Sequence, residues 1–162
     1  MARFPYGYHF NPHRCAELVK CKFYPILKIG LFYNAKSILV ESYIDTGSQW
    51  CLFNNNISKH LGIVDYRATK EEIDISGAGG KHQDNIAYFH DVLLKVYKNK
   101  KINSKNYWEI KTKIGFLKKE IGCAGILGMY GFLDKFTFKS NISKGYFEIS
   151  RVYDKKERMV RK

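Results

Sequence analysis

Asp45 is the acid in this chain whose neighbours are suited to chemistry. It is followed at once by Thr46, Gly47 and Ser48, and an apolar run leads into it through Ile44. The approach reads as a strand, and Gly47 lets the chain turn sharply with its backbone groups exposed. Such a turn holds a carboxylate at a strand end, ringed by hydroxyl and amide donors. Taken alone, the triplet Asp45-Thr46-Gly47 also suits a plain β-turn, because Asp and Gly are ordinary turn formers. Of the other aspartates (Asp65, Asp74, Asp84, Asp91, Asp134, Asp154), none is followed by Thr-Gly or Ser-Gly. The histidines His9, His13, His60, His82 and His90 form no ligand spacing, and Cys15, Cys21, Cys51 and Cys123 show no paired zinc-type spacing. No serine or cysteine sits in a nucleophile motif.

Positioning this acid takes a hairpin. Lys22 to Tyr33 reads as a strand, Asn34 to Ser37 as a turn, and Ile38-Leu39-Val40 begins the strand that runs into Asp45. Trp50 to Phe53 reads as buried. Asn54-Asn55-Asn56 then offers an N-cap to a short helix that starts near Ile57 and is closed by Gly62. Glu71 to Ser76 alternates and ends in Gly77-Ala78-Gly79-Gly80, and Ile86 to Phe89 resumes on the far side. That is a hairpin with a tip almost free of side chains. It is either a flexible surface loop or a flap that closes over a ligand through backbone hydrogen bonds.

His90 to Tyr97 and Tyr107 to Leu117 form a further strand pair around a lysine-rich turn. An apolar, glycine-punctuated run, Ile121 to Gly128, leads into Met129 to Phe136, which has helical spacing. Phe138 to Asn141 and Tyr146 to Val152 close the fold as strands. In residues 1–21 the aromatics Phe4, Tyr6, Tyr8 and Phe10 alternate with small or polar residues, as in a strand or an extended arm laid over a neighbour.

The 162 residues suit one domain with a real core, and 45% hydrophobic with 15% aromatic content argues for a folded, β-leaning chain. No apolar run approaches the ~20 residues needed to span a bilayer. Met1 to Cys15 has no apolar signal core, so the expectation is a cytoplasmic protein with reduced thiols. The formal charge of +13 is unevenly spread: nine lysines lie between Lys95 and Lys119 against one acid, Glu109, and six basic residues between Arg151 and Lys162. Such clusters attract nucleic acid, anionic membrane or acidic substrates; equally they describe a solvated hairpin and tail, since no recognition motif accompanies them.

The order of these parts resembles a retropepsin-type aspartic protease, the single-lobe class of retroviral proteases and their cellular and prokaryotic relatives. The resemblance rests on Asp45-Thr46-Gly47-Ser48, a short helix, a glycine-tipped hairpin, and then Ile126-Leu127-Gly128 in that order. It implies an all-β fold with one or two short helices, an acid-protease barrel with one lobe per chain and a two-fold dimer. The protease domain would span 22–150, between an N-terminal arm at 1–21 and a basic tail at 151–162. Asp45 would be the catalytic carboxylate. Thr46 would lock the two catalytic loops of the dimer through its hydroxyl, and Gly47 would present backbone to substrate. Ser76, Gly77, Ala78, Gly79 and Gly80 would supply the flap and its tip. Ile126, Leu127 and Gly128 would thread beside the aspartate loop, with the glycine allowing the close approach. The first 21 residues, the lysine-rich hairpin and the basic tail have no counterpart in a minimal member of the family.

Peptide hydrolysis of this type needs one carboxylate as base and one as acid, sharing a proton because like charges a few ångströms apart cannot both ionise. This chain carries one half of such a pair, so a homodimer acting on polypeptide substrates, without metal or organic cofactor, is the expectation. Ser48 is expected to donate its hydroxyl toward Asp45, setting an activity optimum below neutral that moves upward in Ser48→Ala. Two other classes remain open. One is a catalytically silent fold of the same kind used for binding or assembly. The other is a basic β-rich nucleic-acid-binding domain in which the lysine hairpin holds phosphate and Tyr107 and Trp108 stack on bases, although Trp108 also suits a strand residue packed on the core.

Overall fold

Apolar residues at every second position of two successive segments start the fold. The computed structural model describes residues 1–8, 23–77, 80–99 and 105–153. Strand β1 (Ala2–Pro5) and the two-residue strands β2 (Gly7–Tyr8) and β3 (Phe23–Tyr24) precede the long hairpin of β4 (Ile26–Tyr33) and β5 (Lys36–Ile44). The strand expected over Lys22 to Tyr33 is broken at Pro25, which has no N–H to give a ladder; its carbonyl instead accepts a bond from Ile44 N at 2.9 Å. Leu27, Ile29 and Leu31 from β4 and Val40 and Ile44 from β5 point inward and are buried. Each such side chain contributes roughly 1.5–3 kcal/mol on leaving water. Ser42 shares that inward face, fully buried, and its hydroxyl has no hydrogen-bond partner among the described residues.

Next come β6 (Leu52–Asn54), the helix α1 (Asn55–His60), β7 (Glu72–Gly77), β8 (Gly80–Tyr97), β9 (Tyr107–Leu117), β10 (Gly125–Leu127), β11 (Phe136–Asn141) and β12 (Tyr146–Arg151). The helix ends where Gly62 takes a φ of +76°, with Gly62 N bonded to Lys59 O and Ile63 N to Ser58 O. That paired closure is why a glycine follows the helix.

Six strands close a barrel in the order β4-β5-β10-β6-β9-β8, with β8 returning to pair with β4 through Ile29↔Val96 to Phe32↔Leu93. The chain is thus mostly β, with a six-stranded barrel at its centre. β7 extends the sheet beyond the ring as the outer arm of the hairpin with β8, and a register shift falls between Asp74 and Ser76. The core inside the barrel is dominated by Phe53, Phe116, Leu94, Ile114 and Leu127, each essentially inaccessible.

A second sheet, in the order β1-β12-β11, packs Ala2, Phe136, Phe147 and Ile149 onto the same core. Ala2–Pro5 therefore pairs with β12 of its own chain, Ala2 opposite Ile149. The helix expected over Met129 to Phe136 does not form. Gly131 adopts a φ of +94° and Phe132 a non-helical backbone, leaving a 3-10 turn at Leu133–Lys135. The aromatic spacing there serves burial instead: Phe132 stacks on Phe136 at 4.9 Å. No helix among the described residues is long and apolar enough to cross a membrane.

Candidate active site

β5 delivers Asp45 as the hairpin reading requires. The ladder ends at Ile44, and the next amide, Asp45 N, bonds to Leu127 O at 3.1 Å. The loop then folds on itself: Ser48 N bonds to Asp45 O at 3.2 Å and Gly47 N donates to the Asp45 carboxylate Oδ1 at 2.8 Å. An amide aimed at the carboxylate fixes its orientation. Asp45, Thr46 and Gly47 are all exposed. Ser48 does not do what its position suggests. Its hydroxyl donates to Trp50 O at 2.9 Å, so its one proton is spent within the loop and not on Asp45.

The second element meets the first directly. β10 runs parallel to the end of β5, with Ile126 opposite Tyr43 and Leu127 opposite Ile44, and antiparallel to β6 on its other side. The chain then continues along the aspartate loop: Met129 N bonds to Ser48 O at 2.8 Å and Tyr130 N to Gln49 O at 2.9 Å. A Cβ on Gly128 would overlap the Trp50 carbonyl and come within 2.7 Å of Ser48 O, so glycine is a steric requirement at this crossing.

Asp45 opens onto a cleft of about 750 Å³ bounded by its own loop, the β7 arm and the segment from Leu117 to Ile121. That volume is in the range of specific ligand sites. Of the expected site residues, Asp45, Gly47, Ser48, Ser76, Gly77 and Ile126 line it. Thr46 is exposed beside Asp45, while Leu127 and Gly128 are buried and support the loop from behind. Gly80 pairs with Gly77 through the backbone at the hairpin end, and Ala78 and Gly79 lie outside the described residues. Beneath the cleft lies a second apolar cluster, Leu52, Ala87, Phe89 and Leu117, of which Leu52 and Leu117 reach the cleft, and Trp50, Ile73, Ile75 and Ile121 pack against it.

Several contributors are not apparent from motifs. Trp50 meets Phe89 and Tyr130, each with ring centroids 5.3 Å away, and so joins the aspartate loop to the cluster beneath the cleft. Asn54 occupies the N-cap position of α1 yet makes no side-chain cap bond. It holds the far wall instead: Nδ2 donates to Ile121 O at 3.2 Å and Cys123 O at 2.9 Å, and Oδ1 accepts from Ile121 N at 2.8 Å. Asn55 Nδ2 likewise reaches Leu117 O at 3.0 Å. The run of asparagines signals a helix start; nothing in it signals a clamp on a loop more than sixty residues away.

Two titratable neighbours of Asp45, Cys123 and Tyr43, are kept protonated. Burial, chiefly, pushes the Cys123 thiol up, and the nearby Asp45 carboxylate adds to the effect. Tyr43, next but one to Asp45 in sequence, is pushed up to about 12, first by burial and then by Cys123 and Tyr24. Neither supplies an anion at neutral pH.

Three lysines of the lysine-rich stretch are paired with acids. Lys95 pairs with Glu109 at 3.3 Å, Lys113 with Glu71 at 2.8 Å and Lys118 with Asp84 at 2.7 Å. Trp108 is buried against Phe136, with Lys98 Nζ 4.9 Å from its ring centroid, and has no free face for a base. The packed-strand reading of Trp108 therefore holds. The turn residues 100–104 and the tail 154–162 lie outside the described residues, as do Cys15 and Cys21. No protein-family model matches the chain, and no curated protein matches it.

Proposed function

We propose that the chain is one half of a homodimeric aspartic endopeptidase of the retropepsin type. The observation that carries the reading is the crossing of two segments at Gly128, which locks the loop bearing an exposed, amide-oriented Asp45 at the edge of a cleft. A turn formed only to reverse the chain needs neither the second segment nor the cleft. In the dimer the two Asp45 carboxylates share one proton. The ionised one takes a proton from a water molecule, which attacks the scissile carbonyl carbon. The protonated one donates to the carbonyl oxygen, and the resulting tetrahedral species collapses with proton transfer to the leaving amine. Thr46 steadies the paired loops, Gly47 offers backbone to the substrate, and the hairpin of β7 and β8 closes over the peptide. The reaction so written draws on no metal or organic cofactor.

Incubation of wild type and Asp45→Asn with a mixed peptide library from acidic to neutral pH, read by mass spectrometry, tests this. Cleavage by the wild type and none by the variant supports the protease. Absence of cleavage from a folded, dimeric wild type moves the reading to a silent binding fold.

A further inference from the structure

Resting on that dimeric reading, we infer that the second copy of this chain seats on an apolar shoulder formed by Tyr24, Met129 and Tyr130 around the Asp45 loop. Two carboxylates sharing a proton lie roughly 3 Å apart, so a two-fold axis must pass beside Asp45 and whatever surrounds it outside the cleft must face the partner. The structure puts three of its exposed large apolar side chains there: Tyr24 at 39%, Met129 at 49% and Tyr130 at 52% exposure. Met129 and Tyr130 are bonded to the loop through Ser48 O and Gln49 O. Tyr24 flanks the other side, its ring 5.1 Å from that of Tyr43, while Pro25 O accepts Ile44 N at 2.9 Å. None of the three lines the cleft, so substrate binding does not account for their exposure.

The terminal strands are engaged elsewhere. β12 lies between β1 and β11 of its own chain, with a partner on both sides. An exchange of termini between copies would have to break the four-residue pairing of β1 with β12. Among the described residues, the apolar surface that flanks Asp45 outside the cleft is the shoulder. Its exposed residues beside Asp45, namely Thr46, Gln49, Met129 and Tyr130, are uncharged. Association there is driven by apolar burial against the mutual repulsion of two chains of charge +13. Added salt should tighten the dimer by screening that repulsion.

Sedimentation equilibrium on the full chain, with wild type, Met129→Glu, Met129→Leu and, as a control at another exposed apolar position, Ile142→Glu, reads the contact without reference to activity. The expected result is a dimer at least tenfold weaker in Met129→Glu, near wild type in Met129→Leu and Ile142→Glu, and tighter in all four at higher salt, with circular dichroism unchanged. A wild type that dimerises and cleaves peptides while Met129→Glu dimerises equally well overturns the shoulder and leaves the protease standing. A wild type that cleaves nothing and stays monomeric at every concentration overturns both.

Discussion

Gly128 lies so close to the backbone of Trp50 that no side chain fits between them. The contact fixes β10 against the aspartate loop, and with it Ile126 on one wall of the cleft. It joins two stretches of the chain whose separate motifs are each unremarkable.

Gly128→Ala should therefore destabilise the fold by about 3 kcal/mol or more, at the top of the range for overpacking, because the atoms it meets are backbone and cannot rotate away. Urea denaturation measures the loss. Activity should fall further than stability, since the displaced backbone is that of the Asp45 loop.

Asn54→Ala removes three hydrogen bonds to the segment between Ile121 and Cys123. The expected cost is about 1–3 kcal/mol, since Asn54 is largely buried and the groups it leaves are partly so. The far cleft wall should also loosen, so KM should rise more than kcat falls. Steady-state kinetics on a cleaved peptide, beside a thermal melt, separates the two effects.

How much of this was legible beforehand depends on the range of each interaction. The β4–β5 hairpin, the β7–β8 arm and the β8–β9 pair follow from local alternation and turn residues, and the structure has them. Closure of the barrel through β4 and β8 and the parallel pairing of β10 with β5 are long-range, so no periodicity announces them. The run Ile121 to Gly128 reads as apolar and glycine-punctuated, but its place beside the Asp45 loop follows only from the resemblance. Met129 to Phe136 misled because aromatics at helical spacing bury equally well from an irregular segment once Gly131 turns to positive φ. Asn54 has the right residue type for an N-cap and is used instead where part-buried carbonyls need a donor.

Ser48→Ala should leave the pH profile of activity where it is in the wild type. The hydroxyl serves Trp50 O, and its removal costs the loop about 1 kcal/mol without altering what Asp45 receives. A pH–rate series on the variant checks this. An upward shift of the acidic limb would mean that Ser48 turns to the carboxylate during the reaction.

The Cys51 thiol is enclosed, and burial pushes it up to about 12 from an ordinary 9.0. The folded value lies above the unfolded one, so the stability it contributes is present below about 9.0 and is lost as pH rises toward 12. Between those limits the unfolded chain gains a thiolate that the folded chain does not. Melting temperatures taken across that interval should fall more steeply for the wild type than for Cys51→Ala.

On the proposed reading, one active site takes an Asp45 from each of two chains. Mixing wild type with increasing Asp45→Asn, under conditions where subunits exchange, tests it most directly. A mixed dimer holds a single aspartate and should be inactive, so activity at constant total protein should fall as the square of the wild-type fraction. Activity that falls only in proportion to that fraction would mean that each chain works alone and that no site is shared between two chains.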